Sequence, residues 1–255
     1  MIKFFRHIRR ALINENNMGK YFKYAIGEIL LVMIGILLAL QVNNWNNNRL
    51  DAIKEQMFLK NLKEDFKTNL AEQKRIYVMF TEGYQASVDL LEFIKGDKEL
   101  TPGEIENLID NMINKTQSLD MYSGSIDEII NTGSLNIIRD SKLRKQLSNW
   151  SFYMADYRDD IEIMNDYLFG FVIPSLTKKT ILRNTKVPTH FTDELEISKI
   201  SRSGFSIDYN KTLRTLEFEN EVYNNTLNYM YTMNSYKVLE SYLEESLELI
   251  EANMK

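Results

Sequence analysis

A long apolar segment near the N-terminus, YAIGEILLVMIGILLALQVNNW, constrains this chain more than any other feature. As a helix, residues 24–42 would be about 28 Å long, which matches the hydrocarbon thickness of a bilayer. The uninterrupted apolar run is shorter, residues 29–40, and a secretory signal peptide has a run of that kind as well. However, no pair of small residues spaced for cleavage follows the run. The segment therefore predicts an uncleaved transmembrane helix over residues 24–42.

The residues that flank this segment predict its orientation. Six Lys and Arg residues precede it, whereas the 20 residues that follow contain three. Because the more basic flank stays in the cytoplasm, we expect a cytoplasmic N-terminus and a periplasmic C-terminal domain in the inner membrane of a bacterium. Aromatic residues suited to the two membrane interfaces stand at both ends of the segment: Tyr21, Phe22, Tyr24 and Trp45.

Residues 1–23 form a basic head with a helical pattern. Its cations gather on one side of a helical wheel and its apolar residues on the other. This pattern is typical of an amphipathic helix that lies in the membrane interface. The alternative is the ordinary basic flank of a membrane anchor. The cations predicted to contact the membrane surface are Lys3, Arg6, Arg9 and Arg10.

A stripe of mostly small residues with one carboxylate runs along the predicted membrane helix. Its members fall within an arc of about 100° on a helical wheel, and larger aliphatic residues cover the opposite side. We call the following five residues the seam: Ala25, Glu28, Val32, Gly35 and Ala39. Small residues four positions apart, such as Gly35 and Ala39, let two helices approach closely. The seam therefore predicts association of membrane helices in a homo-oligomer.

Glu28 has two interpretations. As a member of the seam it could face the interior of a helix bundle and take part in ion coupling. It is also only about 6 Å from the start of the segment, so its carboxylate could reach Lys23 or the lipid headgroups. The small depth favours the second interpretation.

The composition after the anchor indicates helices. With 3 Pro and 10 Gly in 255 residues, the chain lacks the frequent turns that a β-sandwich needs. Apolar residues recur at spacings of three, four and seven, which is typical of helices with a buried stripe. The expected fold is all-α: one N-terminal transmembrane helix followed by an elongated antiparallel helical bundle.

Four segments are predicted. They are a basic head (1–23), a transmembrane helix (24–42), an Asn-rich linker (43–49) and a helical extracytoplasmic domain (50–255). In the linker, Asn is a poor helix former because its side chain competes for backbone hydrogen bonds. A break in the helix and continuity through the linker both remain open.

Local signals predict helix ends in the domain. Gly96 suits the C-terminal cap of the first long helix. Thr101 and Glu104 predict a capping box, with Pro102 at the first helical position. Ser125 is predicted to cap a further helix.

The second half of the domain is predicted to hold two long helices. One follows a turn at Gly133 and ends near Leu168, and residues 174–205 are the least regular part of the chain. The other covers residues 208–253. Its apolar stripe comprises, with a change of phase after the fifth member, Leu213, Leu216, Tyr223, Leu227, Met230, Tyr236, Leu239, Leu243, Leu247 and Ile250.

Motifs for catalysis or cofactor binding are missing from the sequence. The chain has no cysteine, which excludes disulfides, thiolate metal sites and cysteine nucleophiles. His190 has Asp193 and Glu194 nearby, but this spacing fits a surface loop better than a metal site. The acids Asp156, Asp159, Asp160 and Glu162 are interpreted as a solvated helix face. We expect no enzyme activity, no cofactor and no metal.

The charge is distributed unevenly. The net charge of −5 is the balance of +5 in residues 1–23, −1 at Glu28 and −9 in residues 49–255. A basic head fits anionic lipid, and an acidic body argues against nucleic acid as a partner.

Three strings resemble an uncharacterised family of Bacteroidota membrane proteins of about this length, a domain of unknown function. They are MIKFFRHIRR, YAIGEILLVMIGILLALQVNNWN and IDEIINTGSLNIIRDSKLRKQL. The resemblance implies a single-pass anchor with a helical extracytoplasmic body. It implies no activity, and no functional residues carry over from it. Met33 and Leu38 depart from the pattern, which has β-branched residues there.

The sequence thus favours a non-enzymatic single-pass membrane protein that scaffolds or binds envelope partners, as a homo-oligomer or with another envelope protein. Two alternatives remain. One is an ion-coupled subunit that uses Glu28, similar in layout to the smaller subunits of proton-driven stator complexes. The other is a periplasmic ligand-sensing helical domain, although the short head leaves no room for an output domain.

Overall fold

The structure, a computed structural model, describes residues 18–118, 120–185, 198 and 200–255. The chain divides into two compact units, Met1–Met57 and Phe58–Lys255. Within the described ranges the secondary structure is helical and no residue lies in a strand. The all-α prediction is confirmed.

Helix α1 (Met18–Lys95) supplies all the described structure of the first unit. Its apolar side chains between residues 29 and 42 are exposed. By length and composition, α1 is the one helix in the described part of the chain that can cross a membrane. This exposed apolar surface is what a lipid-facing helix requires.

The helix is continuous through the Asn-rich residues 43–49. Each Asn costs less than about 0.7 kcal/mol relative to Ala in a helix. Continuing an existing helix adds one hydrogen bond per residue and needs no new nucleus, which explains how α1 tolerates the Asn run. The sequence left both a break and a continuous helix open, and the structure shows a continuous helix.

The second unit contains the remaining helices. They are the rest of α1, α2 (Pro102–Asn114), α3 (Gly124–Asn131), α4 (Ser141–Ser148), α5 (Trp150–Tyr167), α6 (Ile173–Lys179), α7 (Tyr209–Leu213) and α8 (Leu216–Asn253). Short 3₁₀ helices cover Ser134–Ile137 and Leu182–Asn184. A π-helical turn, Leu168–Val172, connects α5 to α6. Pro174 follows this turn and lacks the N–H that an α-helix would need there.

The predicted ends of α1 and α2 are confirmed. α1 stops at Lys95, and Gly96 has a φ of +94°, a left-handed conformation that favours glycine. At the start of α2, the Thr101 hydroxyl accepts the Glu104 N–H at 3.4 Å, and the Thr101 N–H donates to the Glu104 carboxylate at 2.8 Å. The bonds that the Thr101 N–H and the Thr101 hydroxyl donate to the Glu104 carboxylate hold the pKa of this carboxyl below its ordinary value.

The predicted cap of α3 is wrong. Ser123 occupies the N-cap position, and Ser125 is inside the helix. The N–H of Ser125 donates to the carboxylate of Asp65 in α1 at 3.2 Å. A side chain from another helix therefore accepts the hydrogen bond that a local cap would have taken.

The long helix predicted after Gly133 is divided. The turn at Gly133 is confirmed by its φ of +67°. A 3₁₀ helix follows, and α4 then starts afresh because the carboxylate of Asp140 accepts the N–H of Leu143 at 2.7 Å. α5 begins at Trp150, after a further interruption at Asn149.

α8 is antiparallel to both α1 and α5. The Lys63 ammonium lies 2.8 Å from Glu251 near one end of the α1–α8 pair, and Gly83 lies beside Tyr229 further along. Tyr157 of α5 contacts Tyr236 of α8, with ring centroids 5.1 Å apart. Since α8 opposes both, α1 and α5 run in the same direction, and their side chains meet α8 in one aromatic-rich core.

A second apolar cluster lies further along the same helices. It joins the C-terminal part of α1 to α2, the π-helical turn and the first turns of α8 through buried side chains that include Phe93, Ile109, Leu168 and Phe218. The two clusters give the second unit its own core.

Candidate interaction surfaces

The seam occupies one face of α1 in the first unit. Ala25 and Glu28 are half-buried, whereas Val32, Gly35 and Ala39 are exposed. A Cβ built on Gly35 would meet no atom of the described residues within 4 Å. The part of the seam around Gly35 therefore leaves room for close approach by a second helix, the geometry for which small residues are suited.

Other predicted residues cannot be placed. The membrane-surface cations Lys3, Arg6, Arg9 and Arg10 lie outside the described residues. So does His190 with its two neighbouring acids.

A second exposed surface lies on α8. Five large apolar side chains are exposed along one side of this helix, and we call them the outer face: Leu216, Tyr223, Met230, Tyr231 and Val238. Their exposed fractions range from 41% for Val238 to 73% for Leu216. Leu216, Tyr223 and Met230 repeat at intervals of seven residues, so they lie within an arc of about 40° on the helix.

The outer face lies largely on a segment without charge. Residues 222–236 contain no Asp, Glu, Lys or Arg, in a chain of which 26% is charged. Asn224 and Asn234 are exposed beside the apolar side chains. Protein interfaces are enriched in Tyr and Met and depleted in Lys and Glu. The outer face therefore has the composition of an interface.

A pair of aromatic side chains lies next to the first turns of α8. The Tyr167 hydroxyl donates to the main-chain carbonyl of Glu221 at 3.4 Å. The ring of Phe171 stacks on Tyr167 with centroids 5.5 Å apart, and Phe171 is 64% exposed. The exposed Phe171 ring thus stands beside the first turns of α8.

The opposite side of α8 is fixed in the core. Tyr229 donates to the carbonyl of Met112 at 2.9 Å, and the amide of Gln73 donates to the carbonyl of Tyr236 at 2.8 Å. The hydroxyls of Tyr236 and Tyr157 lie 3.1 Å apart. Burial raises the pKa of Tyr229 and of Tyr236, so both hydroxyls stay protonated. α8 therefore presents its outer face from a packed support.

The family comparison covers most of α1 and the helices that follow it up to α5. A family of unknown function, DUF6090, matches residues 28–169. The chain belongs to this family. The match agrees with the resemblance seen in the sequence to a domain of unknown function. Neither the curated proteins nor the solved structures gave a match.

In this DUF6090 protein, the matched region starts at Glu28 of the seam and ends in the π-helical turn. α8 lies beyond the matched residues. The outer face is therefore identified from the structure alone, because the family match does not include α8.

The apolar stripe predicted for the last helix divides between two faces. A core position is confirmed for four residues of the stripe, which are buried: Tyr236, Leu239, Leu243 and Ile250. It is wrong for Leu216, Tyr223 and Met230, which are exposed. The core uses other residues in the first half of α8: Phe218, Val222 and Tyr229.

A helix break explains this error. α7 ends at Leu213, and α8 starts again when the Thr215 hydroxyl accepts the N–H of Phe218 at 3.2 Å. The buried Leu213 therefore does not share a helical phase with Leu216. The change of phase in the predicted stripe was the sequence signal that the helix is apolar on two sides.

The acidic cluster is a solvated face except at one residue. Asp156, Asp159 and Glu162 are exposed, as predicted. Asp160 is half-buried, and its carboxylate accepts a hydrogen bond from the Ser235 hydroxyl of α8. This carboxylate joins two helices. No group of three or more His, Asp and Glu side chains suited to a metal occurs among the residues the structure describes.

A buried carboxylate in α2 ties down part of the irregular region. Glu106 accepts hydrogen bonds from the Asn184 amide at 2.8 Å, from the Tyr209 hydroxyl at 3.1 Å and from Arg202. Burial opposes ionisation of Glu106, but these three donors outweigh it and hold its pKa below the ordinary value. Burial and the neighbouring Glu106 charge raise the pKa of Tyr209 to about 12. The Glu106 carboxylate thus receives its hydrogen bonds from residues of the same domain, and these bonds hold α2 against the residues that follow α6.

Proposed function

We propose that this DUF6090 protein is a non-enzymatic, single-pass protein of the bacterial inner membrane. Its helical domain lies in the periplasm and binds envelope partners through the outer face of α8. The observation that carries the proposal is the outer face itself, an uncharged row of Tyr, Met and Leu side chains on an otherwise acidic domain.

The anchor part of the proposal rests on α1. Its side chains between residues 29 and 42 are apolar and exposed apart from Gln41, and each Leu, Ile or Val favours insertion by about 0.3–0.6 kcal/mol. The basic residues before the segment support a cytoplasmic N-terminus. A reporter that is active only in the periplasm, fused after Lys255, is expected to give signal. Silence would overturn the orientation.

The partner-binding part can be tested by tagged pulldown from native membranes. Met230 and Gln85 are both exposed, the first on the outer face and the second on α1. A Lys at position 230 would place an unpaired charge in the interface, whereas Gln85→Lys leaves the outer face unchanged. We expect wild type and Gln85→Lys to recover the same partner and Met230→Lys to lose it. Equal recovery by all three would contradict a binding role for the outer face.

The seam is proposed to pair membrane helices. Gly35 is on the seam and Gly27 is off it, and a Cβ on either would meet no atom within 4 Å in the described part of the chain. A Cβ at either position therefore disturbs no contact in the described part of the chain, and Gly27→Leu controls for the change in helix propensity. Both variants carry Met230→Lys, which removes association through the outer face. In this background, we expect Gly35→Leu to lower the mass of the protein in detergent and Gly27→Leu to leave it unchanged. If the two variants behave alike, the seam does not pair helices.

A further inference from the structure

We infer that the outer face of α8 binds the outer face of a second copy of this chain. The inference deepens the proposed function, on which it rests, by naming the partner. It commits to self-association of the periplasmic domains, in addition to any pairing of the membrane helices.

Charge is the first argument for a second copy. Residues 49–255 carry a net charge of −9, so two copies of the domain repel each other over most of their surfaces. In a two-fold interface the same patch meets itself, so a patch of one sign meets a patch of the same sign. Residues 222–236 contain no charge, so the central part of the outer face is a place where two acidic domains can meet without this penalty. The exposed charged residues Glu217, Glu219 and Lys237 lie towards its two ends.

Hydrogen bonding gives the second argument. Within residues 222–236, the exposed polar groups are the side chains of Asn224 and Asn234, together with the hydroxyls of Tyr223 and Tyr231. Asn and Tyr side chains both donate and accept hydrogen bonds, whereas Lys only donates and ionised Glu only accepts. A surface made of Asn and Tyr is therefore complementary to a copy of itself.

Area and spacing give the third argument. The outer face extends from Leu216 to Val238, about 33 Å along the helix. Its five apolar side chains are 41–73% exposed, and each offers roughly 100 Å². With the Asn side chains between them, the surface approaches the ~800 Å² per partner of a stable interface. The seven-residue repeat of Leu216, Tyr223 and Met230 is the spacing at which two helices keep contact along their length.

Single-cysteine crosslinking tests the inference in the full-length protein. The natural chain has no cysteine, so one introduced cysteine reports on one position. Two differently tagged copies of Met230→Cys are expressed together, and native membranes are treated with a short bis-maleimide, which tolerates parallel or antiparallel helices. The same is done with Tyr223→Cys and, as the control, with the exposed Gln85→Cys.

We expect Met230→Cys and Tyr223→Cys to yield a dimer that carries both tags. It should form roughly tenfold or more faster than with Gln85→Cys, because a formed interface raises the effective concentration of the two thiols. Equal crosslinking at Gln85 would indicate random collision and overturn the inference. Using two positions on the outer face guards against a local folding defect in one variant.

A charge exchange provides an independent readout. In the Gly35→Leu background, which removes pairing through the seam, copies that carry Met230→Lys are expected to lose co-purification with each other, and so are copies that carry Met230→Glu, because each places charges of one sign on both faces. Expressed together, the two variants should associate again. If the Met230→Lys copies and the Met230→Glu copies each co-purify as well as copies with Met at position 230, the outer faces do not meet and the inference fails.

The two proposals fail differently. If Met230→Cys crosslinks only to a different protein, the proposed function stands and the second copy is excluded. If neither crosslinking nor the pulldown responds to any change at position 230, both proposals fall.

Discussion

Gly83 of α1 lies directly against the ring of Tyr229 in α8, and its replacement by Ala tests the packing that supports the outer face. A Cβ at position 83 would lie 2.2 Å from the Tyr229 hydroxyl oxygen and 2.4 Å from its Cζ atom. Tyr229 is fully buried, and its hydroxyl donates to the carbonyl of Met112 at 2.9 Å. The ring therefore cannot move aside without breaking this bond or displacing its neighbours.

The expected cost of Gly83→Ala follows from these contacts. Overpacking a core side chain costs about 1–3 kcal/mol. Shifting Tyr229 would leave the buried carbonyl of Met112 without its donor, at a further cost of about 1–3 kcal/mol. Ala stabilises a helix interior by about 1 kcal/mol relative to Gly, which offsets part of the loss. We expect the free energy of unfolding to fall by about 3 kcal/mol in total.

Tryptophan fluorescence can measure this change. Trp150 is buried in the domain core, 5.4 Å from Phe66 between ring centroids, so its emission reports unfolding of the domain. Trp45, the other tryptophan, is exposed on α1 and can be replaced by Phe to remove its signal. Denaturant titration of the detergent-solubilised protein then gives the free energy of unfolding for each variant.

Gly103→Ala is the matched control. Gly103 is also helical, and a Cβ there would meet no atom within 4 Å among the described residues, so we expect unchanged or higher stability. A Gly83→Ala protein as stable as Gly103→Ala would refute the reasoning. A double-mutant cycle assigns the clash: in a Tyr229→Leu background the cost of Gly83→Ala should largely disappear. A cost that persists there would show that Tyr229 is not the residue being displaced.

Three further predictions concern single residues. Thr101→Ala removes the capping box of α2 and should lower the free energy of unfolding by about 1 kcal/mol in denaturant titration; no change would argue against the cap. The pKa of Glu106 is lowered in the folded state, so the stability it contributes is present above the ordinary carboxyl pKa and is lost as the pH falls through the lowered value. Glu106→Gln should therefore destabilise the protein at neutral pH, with a difference from wild type that shrinks on acidification, and a pH-independent difference would contradict the ion pair. Glu28→Gln should leave membrane insertion and crosslinked oligomers intact if the carboxylate only reaches the headgroups; loss of a proton-dependent phenotype with an intact oligomer would instead favour ion coupling.

Helix ends that depend on local chemistry could be predicted from the sequence. Gly96 ends α1 because a left-handed residue there is least strained as glycine. Thr101 and Glu104 satisfy each other's backbone groups without help from the rest of the fold. These signals need no knowledge of tertiary structure.

Helix ends that depend on distant residues could not be predicted in this way. The start of α3 is fixed by Asp65, which is 60 residues away along the chain from Ser125. The break before α8 leaves Leu213 in the core and Leu216 on the surface, although their spacing of three residues predicts that both belong to one apolar stripe. Periodicity shows which residues share a face, but it does not show which face meets the core.

The apolar periodicity of α8 does not identify its core face, but it does reveal that the helix is apolar on two sides. A helix that packs only against its own domain usually has one apolar stripe and a charged opposite side. α8 has a buried stripe that includes Tyr229 and Tyr236, and a second stripe that includes Tyr223 and Met230 at the surface. The seam on α1 has exposed small or branched residues at Val32, Gly35 and Ala39. Each of the two units, taken by itself, thus carries an exposed helical face that its own residues do not bury, and such a face is the surface that a partner can cover.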